Sequence, residues 1–574
     1  MLNYHRKIHS SVSTGKVLHS RRAIGKTVFA CAAATAGVLL MAAIPFHGPQ
    51  AIPTDPQLVP DCNVSAATFA GWFQSGAPTL NGEVKPANSV TFPNVPNGSF
   101  YQWSNQMFLW LTSPTPARYG GGRGRIFSSP AFYDVSPPNP NTDVRNFIPH
   151  VNGVIRTFNL RMAQLGPHKL PVIVDKRGQL FELSPPKFAP SGKQLLLNGR
   201  TEIEIQRVTI SPNRKLIFQD KTGKTLSSLK PILRAELNPQ FTAQKIMVNR
   251  KPVFLDSSGN VIDTEEGQAD GGALLAQNGS LVYYATMVND VYAYFLTGAK
   301  DGGILPAPTQ FPTTQADLDK ITTFASAHGK TFPDPEALAV EIKTSWIEAT
   351  GLPNLANYIT MRATIPTYDK SNPDHWVANG QKTAAMALVG MHVVGSTKGH
   401  PEMIWATFEH IGNAPNAAYS YNATMGPNPK TVPQTTAGTW QFCTSNATGP
   451  FNVMHQFAAG ADIQAQAGFH ITPSDVRRDL AWGNNTASSN TEILTINDSV
   501  RSKIPVGDVR GNYFMTGATW TIFGAPPSPS NQVGTNKLSN TTMETFQPGS
   551  NCFSCHTTNT TTVSHVYDGL TKLF

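Results

Sequence analysis

Charge is scarce in this chain. Only 14% of its 574 residues are Asp, Glu, Lys or Arg, whereas 46 Gly and 45 Pro punctuate it. That composition excludes a disordered polyelectrolyte and argues against long charged helices; it favours many short strands joined by turns. Acidic residues are missing altogether from residues 1–26, which hold Arg6, Lys7, Lys16, Arg21, Arg22 and Lys26. With those six set aside, the rest of the chain has 39 basic residues against 36 acidic ones, although the whole chain is formally +9. So small an excess gives no electrostatic basis for binding nucleic acid. No GxxxxGK[ST] phosphate loop, HExxH zinc helix or GxSxG nucleophile elbow occurs. Ser227-Ser228-Leu229-Lys230 fits S-x-x-K, but it lies on the far arm of a predicted hairpin with no supporting motif, and we discount it.

The basic leader runs into Thr27 to Phe46, TVFACAAATAGVLLMAAIPF, which carries no charge, and then into the Pro-containing HGPQAIPTDPQLVP. This is the layout of an export signal or an N-terminal membrane anchor. The positive flank stays inside, so the protein is expected to be periplasmic, or anchored in the inner membrane through residues 27–46 and facing the periplasm. Ser20-Arg21-Arg22-Ala23-Ile24-Gly25-Lys26 loosely resembles a twin-arginine signal. Of the five cysteines, Cys31 lies in the apolar run. Cys62 and Cys443 are either a disulfide, in an oxidising compartment, or two separate buried thiols.

The expected fold is mainly β with some α, an α+β body of hairpins and sandwich-like sheets. Its boundaries are an export signal or anchor over 1–50, a β-rich domain over 51–300, a second α+β region over 301–524, and a linker with a C-terminal segment over 525–574. Trp103, Met107 and Leu111 recur at helical spacing and begin the core. Tyr119 to Arg125, YGGGRGR, reads as a flexible loop. PVIVDKRGQLFEL, KLIFQDKTGKTLSSL and PVFLDSSGNVIDT each place Asp-x-x-Gly between apolar runs. Asp175, Asp220 and Asp256 then cap turns that Gly178, Gly223 and Gly259 close, giving successive hairpins of one β domain. Thr314 and Asp317 frame a capped helix ending at Gly329. Leu338 to Ile347 alternates as a half-buried strand, and MALVGMHVVG pairs with EMIWATFEHI. Thr472-Pro473-Ser474-Asp475 announces another helix, with Thr472 as its cap. Residues 525–534 form a linker that sets off the C-terminal segment.

That segment contains Cys552-Phe553-Ser554-Cys555-His556. C-x-x-C-H is the signature of covalent haem attachment: the two thiols become thioethers and the adjacent imidazole an axial iron ligand. The two intervening residues turn both sulfurs to one side of the chain and bring the imidazole under the iron. The competing readings are weaker. A redox dithiol would want a βαβ context, which is not visible, and zinc would need a fourth ligand such as His565. The position of the motif is unusual, because it lies close to the end of the chain and no Met follows His556.

MFLWLTSP, RIFSSPAFYDVSPP, AQNGSLVYYA, NDVYAYFLTG, MHVVGSTKGHPEMIWATFEH and METFQPGSNCFSCH together resemble a largely uncharacterised group of exported bacterial proteins classed loosely with the cytochromes c. The resemblance runs from about residue 100 to the end. It implies one haem c on Cys552, Cys555 and His556, and no particular substrate. The sixth iron ligand stays open among His565, which a short loop favours, Met543, and the cluster His392, His400, Met403 and His410. In the two paired strands, His392 is expected to share a face with Leu388 and Val394, and His410 one with Ile404, Ala406 and Phe408. Electron transfer to an unnamed redox partner protein is the leading functional expectation. The alternatives are a peroxidase-like enzyme with an open iron site and an envelope protein in which haem only stabilises the fold.

Overall fold

Alternation of apolar residues on a few long strands organises the protein. In a computed structural model, the described residues are 52–574 apart from 94–96, 140–143, 161–171, 175–179, 185, 211–215, 249–250, 263–272, 302–309, 436–437, 446, 448, 450–454, 460, 466–467, 484–485, 545–551, 555, 557–562 and 565. The leader and the apolar run 27–46 therefore lie outside the described residues. Among the described residues no helix is long and apolar enough to cross a membrane.

The fold is mainly β with some α, and its centre is a 12-stranded sheet. Nine of its strands are β1 (Phe132–Val135), β2 (Phe147–Pro149), β3 (Tyr283–Asn289), β4 (Val340–Glu348), β5 (Thr360–Asp369), β6 (His375–Thr397), β7 (His400–His410), β8 (Tyr513–Thr521) and β9 (Gln532–Gly534). The main path runs β2-β1-β3-β4-β6-β7-β8-β9, with β5 pairing the N-terminal half of β6. As the sequence predicts, β6 and β7 form an antiparallel pair, in register from Gly390↔Glu409 to Gly395↔Ile404, with a shift before Thr397↔His400. Strands on either side of residue 300 belong to this one sheet, since β3 pairs β4 from Tyr283↔Trp346 to Val288↔Glu341. The described residues all fall within a single compact unit.

Period-2 alternation gives the sheet two faces. Val340, Ile342 and Trp346 of β4, Leu388, Met391 and Val393 of β6, and Ile404, Ala406 and Phe408 of β7 enter one core. Helices α1 (Asn97–Leu111) and α4 (Ala487–Arg501) cover that side. Phe100 of α1 stacks on Trp520 at 4.0 Å and Phe108 on Phe408 at 4.4 Å. Each apolar side chain so buried contributes about 1.5–3 kcal/mol. Trp103, Met107 and Leu111, picked out by their spacing, are all buried here. The opposite face receives Val394, Met403 and Trp405, and packs against α2 (Asp290–Lys300), α3 (Gln315–Ala327) and the C-terminal segment.

A bulge corrects one expectation. The pairing of β4 with β6 shifts between Ser345 and Trp346, so Val389 and Gly390 stand where one residue would. One extra residue reverses the alternation beyond it. Leu388 therefore packs in the first core while Val394, on the face of His392, packs in the second.

The hairpin region forms a five-stranded and a four-stranded sheet. Leu196, Phe218, Ile246 and Leu255 share one core between them. Asp220 Oδ1 accepts from the amides of Thr222 (2.9 Å) and Lys224 (3.1 Å), and Asp256 Oδ1 from those of Ser258 (2.8 Å) and Asn260 (2.9 Å). Gly223 and Gly259 take φ of 81° and 86°, which closes both turns as expected. Asp175 and Gly178 lie outside the described residues.

Thr314 caps α3 in a capping box with Asp317. Thr472-Pro473-Ser474-Asp475, by contrast, starts no helix: Ser474 Oγ accepts from Leu275 N (3.2 Å) and Asp475 Oδ1 from Thr444 N (2.6 Å). Distant amides thus take the side chains of Ser474 and Asp475, which would have stood in a first helical turn. The next helix is α4, capped by Thr486. The glycine loop is less free than its composition suggests, because Arg125 Nη1 donates to Thr112 O (3.0 Å). Cys62 and Cys443 are separate buried thiols in different apolar clusters, so the disulfide alternative does not hold.

Gly98 in α1 allows the chain at Asp61 to approach, since a Cβ there would lie 1.9 Å from Asp61 O. Gly98→Ala should destabilise the protein by roughly 1–3 kcal/mol through overpacking. Urea unfolding monitored by tryptophan fluorescence measures the change.

Candidate site at the C-terminal segment

The second face of the sheet turns polar towards β7's end. Glu341, Lys343 and Ser345 of β4, His392 of β6, and Thr407 and Glu409 of β7 alternate with the residues of the first core. A buried turn from Ser539 to Met543 settles on them. Asn540 Nδ2 donates to Thr407 Oγ1 (2.9 Å) and Phe408 O (2.8 Å), and Thr541 N to Glu409 Oε2 (3.3 Å). The hydroxyls of Ser345 and Thr542 are 2.6 Å apart. Gly390 leaves the room for this contact: a Cβ there would meet Thr542 Oγ1 at 2.5 Å.

The C-terminal segment is therefore docked rather than detached. Part of the expected linker is strand β9, paired with β8 from Thr519↔Gly534 to Thr521↔Gln532. Downstream, Arg145 N donates to Gly569 O (2.7 Å) and Thr571 N to Arg145 O (2.9 Å). Lys300 at the end of α2 donates to the carbonyls of Tyr567 (3.1 Å), Asp568 (3.2 Å) and Leu570. Phe553, Val563, Val566, Tyr567 and Leu570 complete the core beneath α2 and α3.

Within this frame Cys552–Ser554 makes a short 3-10 turn, and His556 N donates to Cys552 O at 3.1 Å. That backbone bond brings Cys552 and His556 close together in the chain. Phe553 is fully buried, and its amide donates to Gln532 Oε1 of β9 (3.0 Å). His556 is nearly buried. Its Nδ1 lies 2.7 Å from Val563 O. A carbonyl only accepts, so the proton is on Nδ1, and in the neutral ring the lone pair is on Nε2. The Trp405 ring stands 4.2 Å from the His556 ring, centroid to centroid, with the planes at 45°.

Cys555 and His565 lie outside the described residues. Met543 is buried in the turn on the sheet. Met403 is fully buried at a positive φ of 68° and shares the apolar core of Phe553, Val563 and the partly buried Cys552. His392 lies on the face of Trp405, with Glu544 Oε1 2.6 Å from its Nε2 but not aligned for a hydrogen bond. His400 packs edge-on to Phe100 and its Nδ1 is 2.8 Å from Glu402 Oε1, which also accepts from Thr521 N (3.1 Å) and Oγ1 (2.8 Å). His410 is the core histidine of the cluster. Its Nε2 donates to Asn357 O (3.3 Å), its Nδ1 accepts from Gly412 N (3.1 Å), and Tyr358 stacks on it at 3.8 Å. Five residues of strand, about 17 Å, separate it from Trp405.

Trp405, Val563, Ser564 and Glu341 were not singled out by the sequence. Trp405 lay in a recognised strand, but nothing marks that strand as the neighbour of a motif so much further along the chain. Among the described residues no three His, Cys, Asp or Glu side chains converge as a metal site. No protein-family model, no curated protein and no solved structure matches the chain.

Burial pushes the His410 pKa down to about 3. The unfolded value is about 6.5, so the stabilisation from keeping the ring neutral is complete above pH 6.5 and is lost as pH falls towards 3. His410→Gln, which retains a donor and an acceptor, should flatten the loss of stability between pH 6.5 and 4, read as urea midpoints against pH. Parallel curves for variant and wild type would contradict the assignment.

Proposed function

We propose that this chain is an exported c-type haem protein that passes electrons through one covalently bound haem. Cys552 and Cys555 would hold the group as thioethers and His556 would be its axial base; the bound haem would supply reversible one-electron chemistry. The observation that carries the reading is the hydrogen bond from His556 Nδ1 to Val563 O. Histidines that bind metals donate their other N–H to a carbonyl or carboxylate, which fixes the tautomer and raises ligand basicity. The residues present fit the group in that respect, and the backbone bond that draws His556 to Cys552 is compatible with a C-x-x-C-H attachment site. The packing of Phe553 and Val563 under α2 and α3 supports a rigid mounting, which lowers the reorganisation that accompanies an electron's arrival. His565 is the first candidate for the sixth ligand, and Met403, in the same apolar core as Phe553, is the second.

Protein expressed with haem-maturation machinery should keep its haem through denaturation and acid-organic extraction, because thioether bonds outlast axial ones. Cys552→Ala or Cys555→Ala should weaken that retention and the double change abolish it. Haem that extracts completely from the wild type ends this reading.

Export is part of the proposal, through the leader over residues 1–46. Removal of those residues should give a cytoplasmic protein without covalent haem, since attachment takes place outside the cytoplasm. A haem stain on denaturing gels decides it: a truncated chain that stains as strongly as the full one contradicts the compartment.

A further inference from the structure

We propose that Glu341 and Ser564 are positioning residues for His556, which hold the Val563 carbonyl on its imidazole and lower the potential of the redox site built there. The inference rests on the haem reading above. Ser564 directly follows Val563, whose carbonyl takes the His556 proton. Its hydroxyl donates to Glu341 Oε2 at 2.5 Å and lies 2.8 Å from the Tyr292 hydroxyl. The single Ser564 hydroxyl proton is thus committed to Glu341, which leaves Tyr292 as the donor to Ser564. Tyr292 on α2, Ser564 on the C-terminal segment and Glu341 on β4 thus form one directional chain that ends on a negative charge.

Three rigid elements meet at this chain. Tyr292 is buried in the first turn of α2, behind the Asn289 cap. Glu341 is held in β4 between Val288 of β3 and Val394 of β6. Val563 and Ser564 are both buried, so the carbonyl facing His556 has little room to turn away. Burial raises the Glu341 pKa above that of an ordinary glutamate, against the opposing pull of the Ser564 hydrogen bond and of Arg145 and Lys343. Reduction by an external one-electron donor adds one negative charge beside His556. A carboxylate two hydrogen-bonded residues away opposes that charge, and a well-held Nδ1–H bond raises imidazole basicity, which favours the oxidised state.

The test is the midpoint potential of the full-length haem protein together with the proton resonance of the His556 Nδ1–H. Glu341→Gln keeps an acceptor for Ser564 but removes the charge, and should shift the potential upwards with the resonance retained. Ser564→Ala breaks the chain, and should shift the potential upwards and move or broaden the resonance. Ser564→Thr restores the hydroxyl and should return both to wild-type values. Equal potentials in wild type, Glu341→Gln and Ser564→Ala overturn the proposal, as does a Ser564→Thr shift as large as that of Ser564→Ala. If Ser564→Ala does not fold, Glu341→Gln decides alone: an upward shift supports the proposal and a potential equal to that of the wild type overturns it. A wild type without covalent haem overturns the haem reading and this inference together, whereas a haem-loaded series with one common potential overturns this inference alone.

Discussion

The alternation of β4, β6 and β7 between two faces is the constraint on which the rest of the structure depends. One face is almost wholly apolar and is closed by α1 and α4; the other mixes apolar and polar side chains and is closed by α2, α3 and the chain's own C-terminus. A strand buried on both sides cannot hold its register by hydrophobicity alone, because a slip of one residue merely exchanges one apolar set for another. The polar residues on the second face give it a unique register. Thr407, Glu409 and Ser345 each have a partner in the turn from Ser539 to Met543, and a shifted strand would bury them without one.

Glu409 shows how far this goes. Its carboxylate takes Arg478 Nε at 2.8 Å, Asn413 Nδ2 at 2.9 Å and the Thr541 amide at 3.3 Å, with both charged residues buried. A buried ion pair adds little net stability over an apolar pair of the same shape, but its geometry admits few alternatives. Here it joins β7, the segment around Arg478 and the start of the C-terminal segment at one point. The C-terminal segment is in this way part of the sheet's core, and a redox site built on it would sit on a rigid mount.

The candidate site draws on that mount at each level. Gln532 of β9 fixes Phe553, Trp405 of β7 faces the His556 ring, and Glu341 of β4 with Tyr292 of α2 fix Ser564 beside the carbonyl that receives the His556 proton. His410, at the far end of the same strand, illustrates the contrary case. Both of its ring nitrogens are engaged and a tyrosine covers it, so it belongs to packing.

Features governed by nearby residues were legible in the sequence. The Asp-x-x-Gly turns at Asp220 and Asp256, the Thr314 cap, the β6–β7 hairpin and the helical spacing of Trp103, Met107 and Leu111 each depend on a few neighbouring side chains and on backbone sterics. The closeness of Cys552 to His556 is equally local, since a single backbone bond between them joins its ends. What depends on distant partners was decided by the tertiary structure. The bulge at Val389–Gly390, which moves Leu388 to the face opposite His392, follows from pairing with Ser345 and Trp346, and no pattern within β6 reveals it. Thr472-Pro473-Ser474-Asp475 had the pattern of a helix start, but the side chains of Ser474 and Asp475 accept from the distant amides of Leu275 and Thr444 instead. Residues 525–534 had the composition of a linker, yet part of them completes a sheet whose edge only the folded chain presents. The surroundings of His556, from Trp405 to Glu341, were likewise set by the tertiary structure, because a hydrogen bond between residues as far apart in the chain as Glu341 and Ser564 has no local signature.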